Sequence, residues 1–283
     1  MSEDIISVPQ PFFLPASCGR VFAVYHQPVG AVKPWGNLLV VPAFNEEMNR
    51  CRSMVTMQAQ ALARLGVGTM VIDLYGTGES DGEYGDARWD IWIENVRQGI
   101  EWLETYPGGC IGLLGIRLGV PLALAALQGN QKKRALIAWQ PVVDCKNYFT
   151  QFMRMRIAGN MDRTDIPKET TGDMRAQLAE GKSIEVAGYE IHPDLAMSIE
   201  NLRLTGLMPP KSVSTAWFEK GGGDENVIPP ASEKLLNSWR LAGTDAELTV
   251  FDGPAFWALH DRFFAPDLVT KTAASVQLLK PEK

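Results

Sequence analysis

Four short runs constrain this chain more than anything else in it: Asn37-Leu38-Leu39-Val40-Val41, Thr69-Met70-Val71-Ile72-Asp73, Cys110-Ile111-Gly112-Leu113-Leu114-Gly115 and Ala135-Leu136-Ile137-Ala138-Trp139. Each is too short for a core helix and too continuously apolar for a strand with one wet face. Such runs read as strands buried on both sides, the signature of a parallel sheet. Helical patterns separate them. Met48, Cys51, Val55, Leu62 and Leu65 recur mostly at three- and four-residue steps and stop at Gly66; Trp89, Ile93, Val96, Ile100 and Leu103 do the same; Leu118 to Leu127 is apolar almost throughout. Strand and helix alternate, so the sheet is expected to be mostly parallel with helices on both faces.

The alternation has a prelude and one interruption. Phe12-Phe13-Leu14 and Val21 to Tyr25 flank Ser17-Cys18-Gly19-Arg20 and predict an N-terminal β-hairpin. From about residue 146 to 210 the βα rhythm stops, leaving several Met and Arg and one short alternating piece, Ser183 to Tyr189. It then resumes with a strand at Ser214–Phe218, a helix at Ala231–Leu241, a strand at Glu247–Phe251 and a helix at Asp267–Leu279. The expected organisation is a core of residues 1–145 and 211–283 with 146–210 inserted as a lid.

Composition excludes several classes. Of 283 residues, 46% are hydrophobic and eight are Trp, which supports a packed core rather than disorder. With 27 Lys+Arg against 33 Asp+Glu the formal charge is −6, and no basic run offers nucleic acid a grip. No apolar run approaches the roughly 20 residues of a membrane span, and the acidic Met1-Ser2-Glu3-Asp4 is unlike a signal peptide. The expectation is a cytoplasmic protein without membrane insertion. Four scattered cysteines form neither a disulfide framework nor a thiolate metal site, and no Walker, His-Glu-x-x-His or EF-hand pattern occurs. No metal or cofactor is expected.

In open α/β sheets the active groups lie on loops at the carboxyl ends of strands. The loops here are 42–46, 115–119, 221–230 and 252–257. In Gly115-Ile116-Arg117-Leu118-Gly119 two glycines bracket a strand-to-helix turn so tight that its middle residue is pushed into the site. With the acid turn Gly221-Gly222-Gly223-Asp224-Glu225-Asn226-Val227-Ile228-Pro229 and the last loop Asp252-Gly253-Pro254-Ala255-Phe256-Trp257, the order matches the α/β-hydrolase plan. The middle residue, a Ser in working hydrolases, is Arg117, whose guanidinium is no nucleophile. Asp224 stands at the triad acid, while Ala255, or Pro254 with a one-residue shift, stands where the His belongs. His260, five residues on, is a candidate substitute base. His26, His192 and Asp73 read as structural, and Gly76-Thr77-Gly78 lacks the third glycine of a dinucleotide fingerprint.

Several segments resemble the exosortase A system-associated hydrolase 2 family: Val41-Pro42-Ala43-Phe44-Asn45-Glu46-Glu47-Met48-Asn49-Arg50, Asp73 to Ser80, Gly85 to Trp89, the Gly-x-Arg-x-Gly elbow, Val186 to Tyr189 and Gly253 to Trp257. The resemblance implies an α/β-hydrolase fold in a Gram-negative bacterium, beside exopolysaccharide and protein-sorting genes. It implies a hydrolase by family name, with the triad Ser and His both missing. Two activities are expected from the residues. One is unconventional hydrolysis of an acyl ester, thioester or polysaccharide-linked ester, with water as nucleophile, Asp224 or His260 as base, and Arg117 aided by the backbone N–H groups of Leu118 and Phe44 or Asn45. The other is a binding protein holding a carboxylate or phosphate at Arg117. A third, structural role has Arg117 simply filling the vacated pocket. A buried Arg117 needs a counter-charge, expected from Asp224 first, otherwise from Glu46, Glu47 or a bound anion.

Overall fold

The computed structural model describes residues 6–165, 167–221 and 228–281. The chain opens with an antiparallel hairpin of β1 (Pro9–Ala16) and β2 (Gly19–His26), followed by β3 (Gly36–Val41), α1 (Glu46–Arg64) and β4 (Val67–Ile72). Next come α2 (Trp89–Leu103), β5 (Cys110–Ile116), α3 (Gly119–Ala126) and β6 (Arg134–Trp139). Between β6 and the next strand of the sheet lie α4 (Cys145–Gly159), α5 (Thr171–Ala179), the small hairpin β7 (Ile184–Val186) and β8 (Tyr189–Ile191), and α6 (Pro193–Asn201). The chain then finishes with β9 (Val213–Lys220), α7 (Pro230–Leu241), β10 (Ala246–Phe251) and α8 (Pro266–Gln277).

The eight-stranded sheet has the order β1-β2-β4-β3-β5-β6-β9-β10. β1 and β2 are antiparallel and β2 meets β4 antiparallel; every other pairing is parallel. The strands expected from continuous apolar runs are the buried centre: each residue of β3 and β6 is buried. Because successive side chains point to opposite faces, each strand feeds two cores. Leu39, Val41, Leu113 and Leu136 pack with Trp92 and Val96 of α2 and Leu122 of α3. Leu38, Val40, Leu114 and Ile137 pack with Met54 and Leu62 of α1 and Leu268 and Val276 of α8. Full burial of each such side chain is worth about 1.5–3 kcal/mol. That two-sided demand is what forces helices onto both faces.

The segment between β6 and β9 joins the first of these cores through Phe149, Phe152 and Met153 of α4. Its hairpin turns on Ala187 (φ 52°) and Gly188 (φ 83°), both left-handed as a two-residue turn of matching twist requires. No described helix is long and apolar enough to cross a membrane.

Candidate functional site

The site begins with the turn from β5 into α3. A Cβ on Gly119 would lie 2.4 Å from the carbonyl oxygens of Val41 and Pro42, and one on Gly115 would lie 2.7 Å from Val120 Cα. Only glycines let β5, α3 and the end of β3 come so close. Between them Arg117 takes φ +55°, a left-handed conformation that costs an L-residue about 1–2 kcal/mol. Its N–H donates to Trp139 O (3.0 Å) and its carbonyl accepts from Val120 N–H (3.1 Å), so the backbone is held on both sides.

The Arg117 side chain meets Glu47, the second residue of α1. Nε donates to Oε1 (3.2 Å) and Oε2 (3.4 Å), and Nη2 donates to Oε1 (3.2 Å). Nη1 donates to the Gln140 carbonyl (3.1 Å). The guanidinium carbon lies 5.3 Å from the Trp257 ring centroid and 5.7 Å from that of Tyr148. Tyr148 also donates its hydroxyl to Glu47 Oε2 (2.9 Å). The two charged side chains are 18% and 17% exposed, so this is a shielded, multiply bonded pair and not a screened surface contact. Burial pushes the Glu47 carboxyl above its ordinary range, against the downward pull of Arg117 and Tyr148. Its place in the first turn of a 19-residue helix favours negative charge there.

A second carboxylate stands behind the first. Gln140, just past β6, is left-handed at φ 42°. While its carbonyl holds Arg117, its Nε2 donates to Glu219 Oε2 (2.6 Å) and its Oε1 accepts from Lys220 N–H (2.7 Å). Glu219, 1% exposed, also accepts from Trp217 Nε1 (2.9 Å) and from the Ser232 hydroxyl. Burial raises its carboxyl too, opposed by these hydrogen bonds and by Arg117. Arg117, Gln140 and Glu219 thus form a chain across the ends of three adjacent strands. Sequence reading passed over Gln140 and Glu219; the available signal was a polar residue at the carboxyl end of an apolar strand.

Two cavities flank the loop from β3 to α1, with Phe44 and Asn45 as their common wall. One, of about 440 Å³, is lined by Glu47, Arg50, Arg117, Tyr148 and Trp257. The other, of about 310 Å³, is walled by Phe44, Tyr84, Trp89, Trp92 and Tyr189 and reached by Leu118 and Gly119. Its rings meet edge to face: Tyr84 and Tyr189 have centroids 5.0 Å apart and Phe44 and Trp92 6.2 Å apart. Tyr189 lines this cavity from the β7–β8 hairpin and donates its hydroxyl to Glu46 Oε1 (2.8 Å). The backbone N–H groups of Phe44, Asn45 and Leu118 donate to no acceptor among the described residues.

The expected site residues therefore separate. Leu118 lines the aromatic cavity, Phe44 and Asn45 line both, and Glu46 lines the Arg117 cavity while accepting from the Tyr189 hydroxyl across the wall. Arg117 lines that second cavity; of its expected partners Glu47 is the one that meets it, and Asp224 lies outside the described residues. His260 is exposed on the loop after β10 and lines neither cavity. Ala255 packs partly buried against the α1–α8 core. Asp73 is bonded to Arg52 (3.2 Å) and to the Glu79 N–H (3.1 Å), a structural clamp on its loop.

No protein-family model and no curated protein sequence matches this chain. Solved structures do. Est1E from Butyrivibrio proteoclasticus, solved with ferulic acid bound, aligns at a TM-score of 0.66 and 15% identity over 95% of this chain and 98% of its own. A soluble variant of monoglyceride lipase from Saccharomyces cerevisiae, in complex with a substrate analog, aligns at 0.64 and 14% over 98% and 97%. XC6422 from Xanthomonas campestris, an α/β serine hydrolase without a lid, aligns at 0.57 and 16% over 97% and 96%. At such identities the likeness speaks for architecture and not for chemistry. With the strand order and the glycine-bracketed turn, it shows that the chain has the α/β-hydrolase fold.

Proposed function

We propose that this chain is a ligand-binding derivative of a hydrolase, which takes a small uncharged ester or acyl compound into the aromatic cavity and forms no acyl-enzyme. The observation that carries the reading is the division of the site by Phe44 and Asn45. A hydrolase needs its charged machinery and its oxyanion donors around one reacting carbonyl. Here Arg117 and Glu47 line one cavity, whereas Leu118, whose N–H is the expected oxyanion donor, lines the other. Arg117 already has its counter-ion in Glu47, which argues against it as a free anion receptor. The ferulic acid held by Est1E supports an aryl-bearing ligand, and the resemblance to the exosortase A system-associated hydrolase 2 family supports an ester linked to cell-surface polysaccharide as its source. In this reading residues 146–210 act as the lid, with Tyr189 over the ligand.

A second reading, hydrolysis by water, is favoured by one specific observation: the Phe44 and Leu118 N–H groups lack acceptors among the described residues, in a loop next to the carboxylate of Glu47, a candidate general base. Equilibrium binding and product analysis on a panel of p-nitrophenyl and aryl esters separate the two. Saturable binding without product, and no labelling by a fluorophosphonate, are the expected outcomes. Turnover well above background, or stoichiometric labelling of any Ser, would overturn the binding reading.

A further inference from the structure

We infer that the side-chain amide of Asn45 is a recognition group, donating to the carbonyl oxygen of a neutral ligand in the aromatic cavity; this rests on the binding reading above and names the chemistry it selects. Asn45 ends the loop between β3 and α1 in a left-handed conformation, φ 52° and ψ −128°. Glycine would satisfy that backbone at less strain, so turn geometry alone does not call for an amide. The residue is 5% exposed and lines both cavities, and its hydrogen-bond partner Tyr84 lines the aromatic one alone. Its Oδ1 accepts from the Tyr84 hydroxyl, which orients the amide, and its Nδ2 is buried with no acceptor among the described residues. A buried donor left unmade costs about 1–3 kcal/mol. A ligand acceptor in the cavity would remove that cost.

The rest of the lining restricts the ligand further. Among the described residues it contains no Lys, Arg or His and one carboxylate, Glu83, so a carboxylate or phosphate there would meet repulsion and no counter-charge. The walls are Phe44, Tyr84, Trp89, Trp92 and Tyr189, which suit a flat or unsaturated apolar body. At about 310 Å³ the cavity is at the small end of the roughly 300–1,000 Å³ span of ligand pockets. One ring with a short carbonyl-bearing chain fills that description: an aryl or alkenyl ester, ketone or amide.

The test uses a matched pair, methyl cinnamate and cinnamyl methyl ether, which differ in the carbonyl. Binding to the full-length chain is followed at pH 8 by quenching of Trp89 and Trp92. The ester is expected to bind at least tenfold more tightly than the ether. Asn45→Asp keeps the shape, the tolerance for a left-handed backbone and the acceptor for Tyr84, but replaces the N–H donors by an acceptor. It should abolish the preference while ether binding persists, and Asn45→Gly should do the same should the Asp variant fold poorly. Equal binding of ester and ether to the unmodified chain, or a preference surviving in both variants, would overturn this inference and leave the binding reading standing. Failure of both compounds to bind would overturn the binding reading and this inference with it.

Discussion

Arg117 is held at the tip of the β5–α3 turn, and its consequences are electrostatic before they are chemical. Its charge and that of Glu47 cancel within a shielded pocket, so removing one partner exposes the other. Arg117→Met should destabilise the protein by about 3–5 kcal/mol at pH 8, the range for leaving a buried charge unpaired. The loss should shrink at pH 5. Glu47 already titrates above its ordinary range in the folded chain because of burial, and loss of Arg117 pushes it higher. A carboxyl raised on folding binds more protons in the native state, so its penalty is complete above the folded pKa and is relieved as pH falls through it toward the unfolded value. The double variant Glu47→Gln with Arg117→Met should recover most of the loss at pH 8, since neither member of the pair is left charged without the other. Urea unfolding of the three proteins at both pH values checks the set; a pH-independent loss, or no recovery in the double variant, would contradict it.

Among the elements, the β5–α3 turn and the β7–β8 hairpin set the site's shape. Gly119→Ala should cost about 1–3 kcal/mol, the range for forcing an extra carbon into packed structure, because the new Cβ would press on the carbonyls of Val41 and Pro42. An unchanged thermal midpoint would show that the end of β3 can yield. Ala187 bears the opposite strain, a left-handed φ of 52° on a residue with a Cβ. Ala187→Gly should raise stability by up to about 1 kcal/mol, read as a higher denaturant midpoint at constant slope. At this scale much was legible in advance: continuous apolar runs gave the central strands, and paired glycines marked the turn that presents Arg117. The partner of Arg117 was not legible. Glu46 and Glu47 are adjacent in sequence but about 100° apart around a helix of 3.6 residues per turn, so one reaches Tyr189 and the other reaches Arg117. Only the start point of α1 decides which does which. The role of Gln140 and Glu219 depends on β5, β6 and β9 being neighbours in the sheet, a relation between segments about 80 residues apart that local pattern does not carry.

For the whole molecule, the fold retains the layout that lets hydrolases bring groups from several strand ends to one point, but this chain uses the space differently. The charged chain from Glu47 through Arg117 and Gln140 to Glu219 ties strand ends together, and the aromatic cavity lies across the Phe44–Asn45 wall from it. The central claim is that ligand binding and the Arg117 pair are separable. The most direct measurement is equilibrium binding of methyl cinnamate, with product analysis after prolonged incubation, on the unmodified protein and on the Glu47→Gln, Arg117→Met double variant. The account predicts dissociation constants within about twofold of each other, because the wall of Phe44 and Asn45 stands between the exchanged pair and the ligand, and no cinnamic acid from either protein. A tenfold or greater loss of binding in the double variant, or ester cleavage that disappears with it, would contradict the account and place Arg117 and Glu47 in the working site.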